Sequence, residues 1–136
     1  MTEDIRWKQR YENFDKALQR LFAAQKALSE NYENDLYRIA LIGAFEFTFE
    51  LGWKTLKDYL KYGGVNTSLP REVIKQAFHY ALIEDGQGWI DMLEDRNIMS
   101  HAYDEEKSKL IAARIMSKHI SALSQVHKFL KEKLVK

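Results

Sequence analysis

FEFTFELGW, residues 45–53, reads in two ways. Phenylalanine at 45, 47 and 49 alternates with polar residues, the period of a half-buried strand. Phe45, Phe49, Trp53, Leu56 and Leu60 instead repeat at the three-to-four spacing of a helix, continuing a series that Leu36, Ile39 and Ile42 begin. The longer series decides for a helix from about Asp35, a plausible N-cap, to Tyr62, closed by Gly63-Gly64. Apolar residues cover more than one stripe of it, so it is expected to touch neighbours on two sides.

Upstream, Trp7, Tyr11, Phe14, Leu18, Leu21 and Leu28 mark one face of a helix over about residues 3–28. SENYEN, residues 29–34, is a polar break. Downstream, Pro70 suits the first turn of a third helix, which holds Val73, Ile74, Ala77, Phe78 and Leu82 and is expected to end near Asp85-Gly86. A fourth begins about Gln87. Asp104 is the expected N-cap of the last, with Glu105 and Glu106 at the positive end of its dipole. Its inner face is read as Met116, Ile120, Leu123, Leu130 and Leu134, ending near Lys133. The expectation is one all-α domain over residues 1–136, an antiparallel up-down bundle of the four-helix type with an extra short helix.

Composition fits that fold and narrows function. The chain is 46% hydrophobic and 12% aromatic, with one proline and six glycines, sparse punctuation for a sheet. Lysine and arginine number 21 against 20 acids, so nucleic acid binding would need a local basic patch rather than bulk charge. Without cysteine there is no disulfide or thiolate metal site. No apolar run approaches the ~18 residues of a membrane span. The start, MTEDIRWKQR, is too charged for a signal peptide, so no membrane association and a cytoplasmic location are expected.

The chemistry gathers in EDRNIMSHAYDEE, residues 94–106. On a straight helix Trp89, Met92, Leu93, Met99 and Tyr103 would share a face with Arg96 in their midst. An arginine there needs a partner or an interface. Arg96 and His101 are five residues apart, about 140° around a helix, so they converge only if the helix ends nearby or a second copy supplies the other half. An arginine fork holds phosphate and stabilises a charged transition state. A histidine takes a proton from a 2′-hydroxyl or gives one to a leaving oxygen. Asn97 could orient either, with Ser100 in support, and this set requires no metal. The plain alternative has Arg96 paired with Glu94, Asp95 or an acid of a neighbouring helix, and His101 merely capping a terminus.

The R-N-x-x-S-H-x-Y pattern of residues 96–103 resembles the signature of the HEPN superfamily, an arginine followed after four to six residues by a histidine. The tyrosine two beyond the histidine, FEFTFELGWKTLKDYL (45–60), the glycine turn and PREVIKQAF resemble the branch of nucleotidyltransferase substrate-binding proteins. The likeness covers nearly the whole chain. It implies a homodimer with the Arg and His of both protomers facing one cleft. It further implies either a metal-independent endoribonuclease toxin or a non-catalytic substrate- or nucleotide-binding subunit. By the same resemblance, Arg96 would bind phosphate, His101 act as acid or base, and Asn97 orient. Tyr103 would be the site at which a separate minimal nucleotidyltransferase adds AMP, using ATP and magnesium. The chain itself would need no cofactor.

Other residues carry less. Glu46 and Glu50, four apart among phenylalanines, could pair with Arg96, support a charged His101, or lie on a solvated strip. His79, His119 and His127 lack ligand spacing and are read as surface or satisfied histidines. The stripe of Trp7, Tyr11, Phe14, Phe45, Phe49 and Trp53 could hold a nucleobase but matches what a bundle interior requires. Arg6, Lys8, Arg10, Arg20 and Lys26 read as solvated faces, though some could form the local patch an RNA would need. Gly63-Gly64 and Gly86-Gln87-Gly88 are not phosphate loops, and the paired Gly-Ser and Asp-x-Asp signature of a nucleotidyltransferase is missing.

Overall fold

A computed structural model describes residues 2–98 and 104–135. Among the described residues six α-helices run α1 Thr2–Glu30, α2 Asp35–Tyr62, α3 Pro70–His79, α4 Gly86–Asn97, α5 Glu105–Arg114 and α6 Ile120–Leu134, with a π-helical turn, Ile115–His119, joining α5 to α6. They form an antiparallel helical bundle, as the sequence led us to expect. No described helix is long and apolar enough to cross a membrane.

FEFTFELGW is helix. Phe45, Phe49, Trp53, Leu56 and Leu60 are buried, and α2 packs against α1, α3, α5 and α6. Two buried threonines sit on this helix without cost to hydrogen bonding. Thr48 and Thr55 donate to the carbonyls of Ala44 and Leu51 one turn back, at 2.7 and 2.6 Å. Gly52 eases a close approach, since a Cβ there would press on Phe14 Cε1 at 3.2 Å and Trp89 Cη2 at 3.3 Å. On α1, Trp7, Tyr11, Phe14, Leu18, Leu21 and Leu28 are all buried, as their spacing predicts.

Four local readings are corrected. The N-cap of α2 is Asn34, whose side chain accepts from Tyr37 N at 3.0 Å, and Asp35 is the first helical residue. Leu36 and Ile39 do not start the buried stripe: they are 74% and 56% exposed, because α2 begins before its neighbours cover that side. Helix α3 stops at His79 rather than near Asp85. There Ala81 adopts φ 63° and Leu82 N returns to Ala77 O at 2.8 Å, a turn that buries Leu82 and Ile83 under the bundle. The fourth concerns the last helix, where Met116 and Leu134 are only partly buried while Ile115 and His119 are fully inside.

The π turn explains that last correction. Ile111, Ile115, His119 and Leu123 are each four apart and all buried. Steps of four drift around a 3.6-residue helix, so holding them on one face requires a locally wider turn. The π turn at 115–119 supplies it and carries His119 into the core. Asp104 caps α5 as expected, accepting from Lys107 N at 3.1 Å.

Candidate functional site

Arg96 occupies the last turn of α4 and Asn97 is its final residue. Trp89, Met92 and Leu93 turn into the core, so the rotation of α4 leaves Arg96 on the side facing α2. Its Nε lies 2.8 Å from Glu50 Oε2, the partner an arginine beside an apolar face requires. That partner is the acid of a neighbouring helix, neither Glu94 nor Asp95. Arg96 Nε is shielded from solvent, and its N–H does not point along the short approach to a described acceptor. The contact is therefore a charge pair rather than a directed hydrogen bond. Nη1 donates to Asn97 Oδ1 at 3.3 Å, while Glu50 Oε2 also accepts from Trp53 Nε1 at 3.3 Å.

The pair borders an open cleft of about 450 Å³ over α2, whose walls include Glu46, Phe47 and Lys54. Glu46 thus shares the cleft with Glu50, but only Glu50 pairs with Arg96 among the described residues. Side chains of Arg96 and Glu50 are 26% and 31% exposed, so water and salt reach the pair and weaken it. Along the same helix Leu36, Ile39 and Phe47 expose apolar surface. Ser100, His101 and Tyr103, together with Met99 of the anticipated apolar face, lie outside the described residues.

Behind Arg96 lies a second cluster that sequence reasoning missed. Asp95, one residue back and about 100° around the helix, turns into the bundle, where Arg114 grips it with two bonds: Nε to Oδ2 at 2.9 Å and Nη2 to Oδ1 at 2.8 Å. His119 Nε2 lies 2.7 Å from Oδ2 and donates to the ionised carboxylate. His119 also stacks on Phe45, with ring centres 5.1 Å apart. Burial by itself would raise the pKa of Asp95. The hydrogen bonds from His119 and Arg114, with the charge of Arg114, outweigh it and hold the carboxyl below its ordinary range. No short-range spacing joins residues 95, 114 and 119, so periodicity could not show this cluster; the series of fours around His119 was the available signal.

The remaining histidines fit their plain reading. His127 Nε2 lies 2.7 Å from Asp15 Oδ1 and 3.1 Å from Tyr11 OH. Burial, reinforced by Asp15, pushes the Tyr11 hydroxyl up to about 12. His79 meets the edge of Tyr80. Among the described residues no group of three or more His, Asp or Glu is arranged to hold a metal ion. The stripe of Trp7, Tyr11, Phe14, Phe45, Phe49 and Trp53 is core.

Residues 9–132 match the profile of a family described as nucleotidyltransferase substrate binding protein like. A probable ribonuclease HepT of Haemophilus influenzae is 34% identical over 79 residues, and the chain spans about half of that relative's length (54%). A solved Haemophilus influenzae structure, presented as the fold of a substrate binding domain of a nucleotidyltransferase, is 25% identical with a TM-score of 0.81, the alignment covering 89% of this chain and 98% of that one. A crystal structure from Thermus thermophilus is 26% identical with a TM-score of 0.63, covering 85% of this chain and 99% of that one.

Proposed function

Because the chain belongs to the nucleotidyltransferase substrate-binding protein-like family, a HEPN-like family, we propose that it is a HEPN-type toxin: a metal-independent endoribonuclease neutralised by a separate minimal nucleotidyltransferase. The observation that supports this reading is Arg96 itself. It stands at a helix end over an open cleft, oriented by Glu50 and Asn97 yet still in contact with solvent. The ribonuclease name of the partial relative supports it independently.

In the proposed reaction a histidine takes the proton of a ribose 2′-hydroxyl, which attacks the adjacent phosphorus. The P–O5′ bond breaks, giving a 2′,3′-cyclic phosphate, and the leaving oxygen receives a proton. Arg96 binds the phosphate and stabilises its added charge, Asn97 orients, His101 serves as acid or base, and Ser100 assists. Glu50 holds Arg96, and Glu50 with Glu46 in the same cleft would favour a charged His101. Two protomers supply two copies of Arg96 and His101 to one cleft. The apolar residues Leu36, Ile39 and Phe47 beside it support such a homodimer. The partner nucleotidyltransferase would transfer AMP from ATP to the oxygen of Tyr103, releasing pyrophosphate. The bulk and negative charge so added would repel RNA phosphate.

A second reading is a non-catalytic subunit that binds substrate or nucleotide for that same partner. The near-complete alignment with a domain presented as substrate-binding favours it. The test is cleavage of a mixed RNA pool by the purified protein in EDTA, wild type beside His101→Ala. Cleavage by wild type alone is expected. Cleavage by neither, with protein of unmodified mass, would replace the ribonuclease with the binding subunit.

A further inference from the structure

We infer that Asp95 is a positioning residue for Arg96, acting through the buried grip of Arg114 and His119; this rests on the ribonuclease reading above. Arg96 reaches its cleft from the last turn of α4, beyond the core residues Trp89, Met92 and Leu93 that set the rotation of the helix body, where the final carbonyls lack α-helical partners. Its immediate neighbour Asp95 is bound by three donors from the α5–α6 rod at 2.7–2.9 Å, and its side chain is 8% exposed. Successive helical residues are locked about 100° apart. Fixing the direction of Asp95 therefore fixes the direction in which Arg96 leaves the helix. The outer contacts of Arg96 are a solvated charge pair and one 3.3 Å bond, too weak to do this alone.

The donors themselves are placed by the winding of the rod. The π turn at 115–119 carries His119 inward against Phe45 of α2, and Arg114 lies one residue before that turn. Two independent attachments therefore hold the carboxylate, a planar fork and an imidazole stacked on the core. Arg38 of α2, nearly buried, likewise holds the first turn of α5 through Ser108 at 3.1 Å. Both ends of the chain that flank the motif, α4 before it and α5 after it, are thus tied to the bundle by buried polar groups.

A merely structural Asp95 would affect stability alone; a positioning Asp95 must act through Arg96. The experiment combines Asp95→Asn with Arg96→Ala and measures RNA cleavage in EDTA, well below the unfolding temperature. Asp95→Asn is expected to lower kcat by about 10- to 100-fold, the scale of a catalytic group misplaced by an ångström, with KM changed far less. In the Arg96→Ala background it should cause no further fall. An equal fall in both backgrounds, or none in the wild type, overturns the inference. Should Asp95→Asn not fold, Arg114→Lys replaces it, since it keeps the charge but loses the fork. The Arg96 Nε–H signal in NMR provides a readout independent of activity. It should shift or broaden in either variant while the backbone spectrum is retained, and an unmoved signal overturns the inference. A wild type that does not cleave RNA defeats the ribonuclease reading, and the Arg96 signal then still decides the role of Asp95.

Discussion

Two arginine–carboxylate pairs meet on neighbouring faces of the last turn of α4, and they differ chiefly in the burial of the carboxylate and the geometry of the contact. Arg114 and Asp95 meet by a two-bond fork with a buried histidine at its side, and the carboxylate is 8% exposed although Arg114 itself is 34% exposed. Arg96 and Glu50 meet at one point over an open cleft, each with about a quarter to a third of its side chain in solvent. Opening the first pair strands the Asp95 carboxylate in the core, while Arg114 keeps its water. The open pair can exchange its acid for another anion at little cost, because water and counter-ions already compete for it. Adjacent residues thus stand differently: Asp95 is tied into the bundle, and Arg96 faces an open cleft.

The largest effect should come from breaking the first pair. Asp95→Ala would leave His119 buried without its acceptor while Arg114, a third exposed, turns to water, and should cost about 2 kcal/mol, measured by urea unfolding. Acid should expose the same difference. The folded-state pKa of Asp95 lies below its unfolded value, so its stabilisation is present above about pH 4 and is lost as pH falls through the depressed folded pKa. The stability gap between wild type and Asp95→Asn should therefore narrow in strong acid. A gap that stays constant would mean that the carboxylate charge is not what Asp95 contributes.

A third cluster sharpens the comparison from an intermediate position. His127, Asp15 and Tyr11 link α6 to α1, with His127 16% exposed and Asp15 42% exposed. Tyr11→Phe should cost about 1 kcal/mol, the worth of one partly buried hydrogen bond. Tyr11 should ionise near pH 12, above the ordinary tyrosines, in an ultraviolet titration. Its contribution is present below about pH 10 and is lost as pH rises towards 12, because the folded form holds its proton more tightly. The smallest effect belongs to the open pair. Glu50→Gln should change stability by no more than about 1 kcal/mol in the same urea assay.

What the sequence made legible follows from range. The helical reading of FEFTFELGW rested on a series extending over more than six turns, and local alternation could not compete with it. Arg96 was legible as a cation out of place in an apolar face, and its need for an acid followed. Glu50 was a candidate because it sat beside Glu46 on the facing helix, but choosing between them needed the rotation of α2 against α4. The end of α3 was hidden because Leu82 and Ile83 are buried from a turn, which periodicity reads as more helix. The Asp95 cluster was hidden for a different reason. Its members are 19 and 24 residues apart, and only tertiary packing brings them together.

The most direct test of the division between these two pairs is a paired measurement on Arg96→Ala: thermal unfolding and cleavage of a mixed RNA pool in EDTA, each beside wild type. The expected result is an unfolding temperature within a few degrees of wild type, since the lost pair is partly solvated, together with a large fall in cleavage to a residual, measurable rate. Cleavage at the wild-type rate, or a collapse in stability as large as that of Asp95→Ala, would contradict that division.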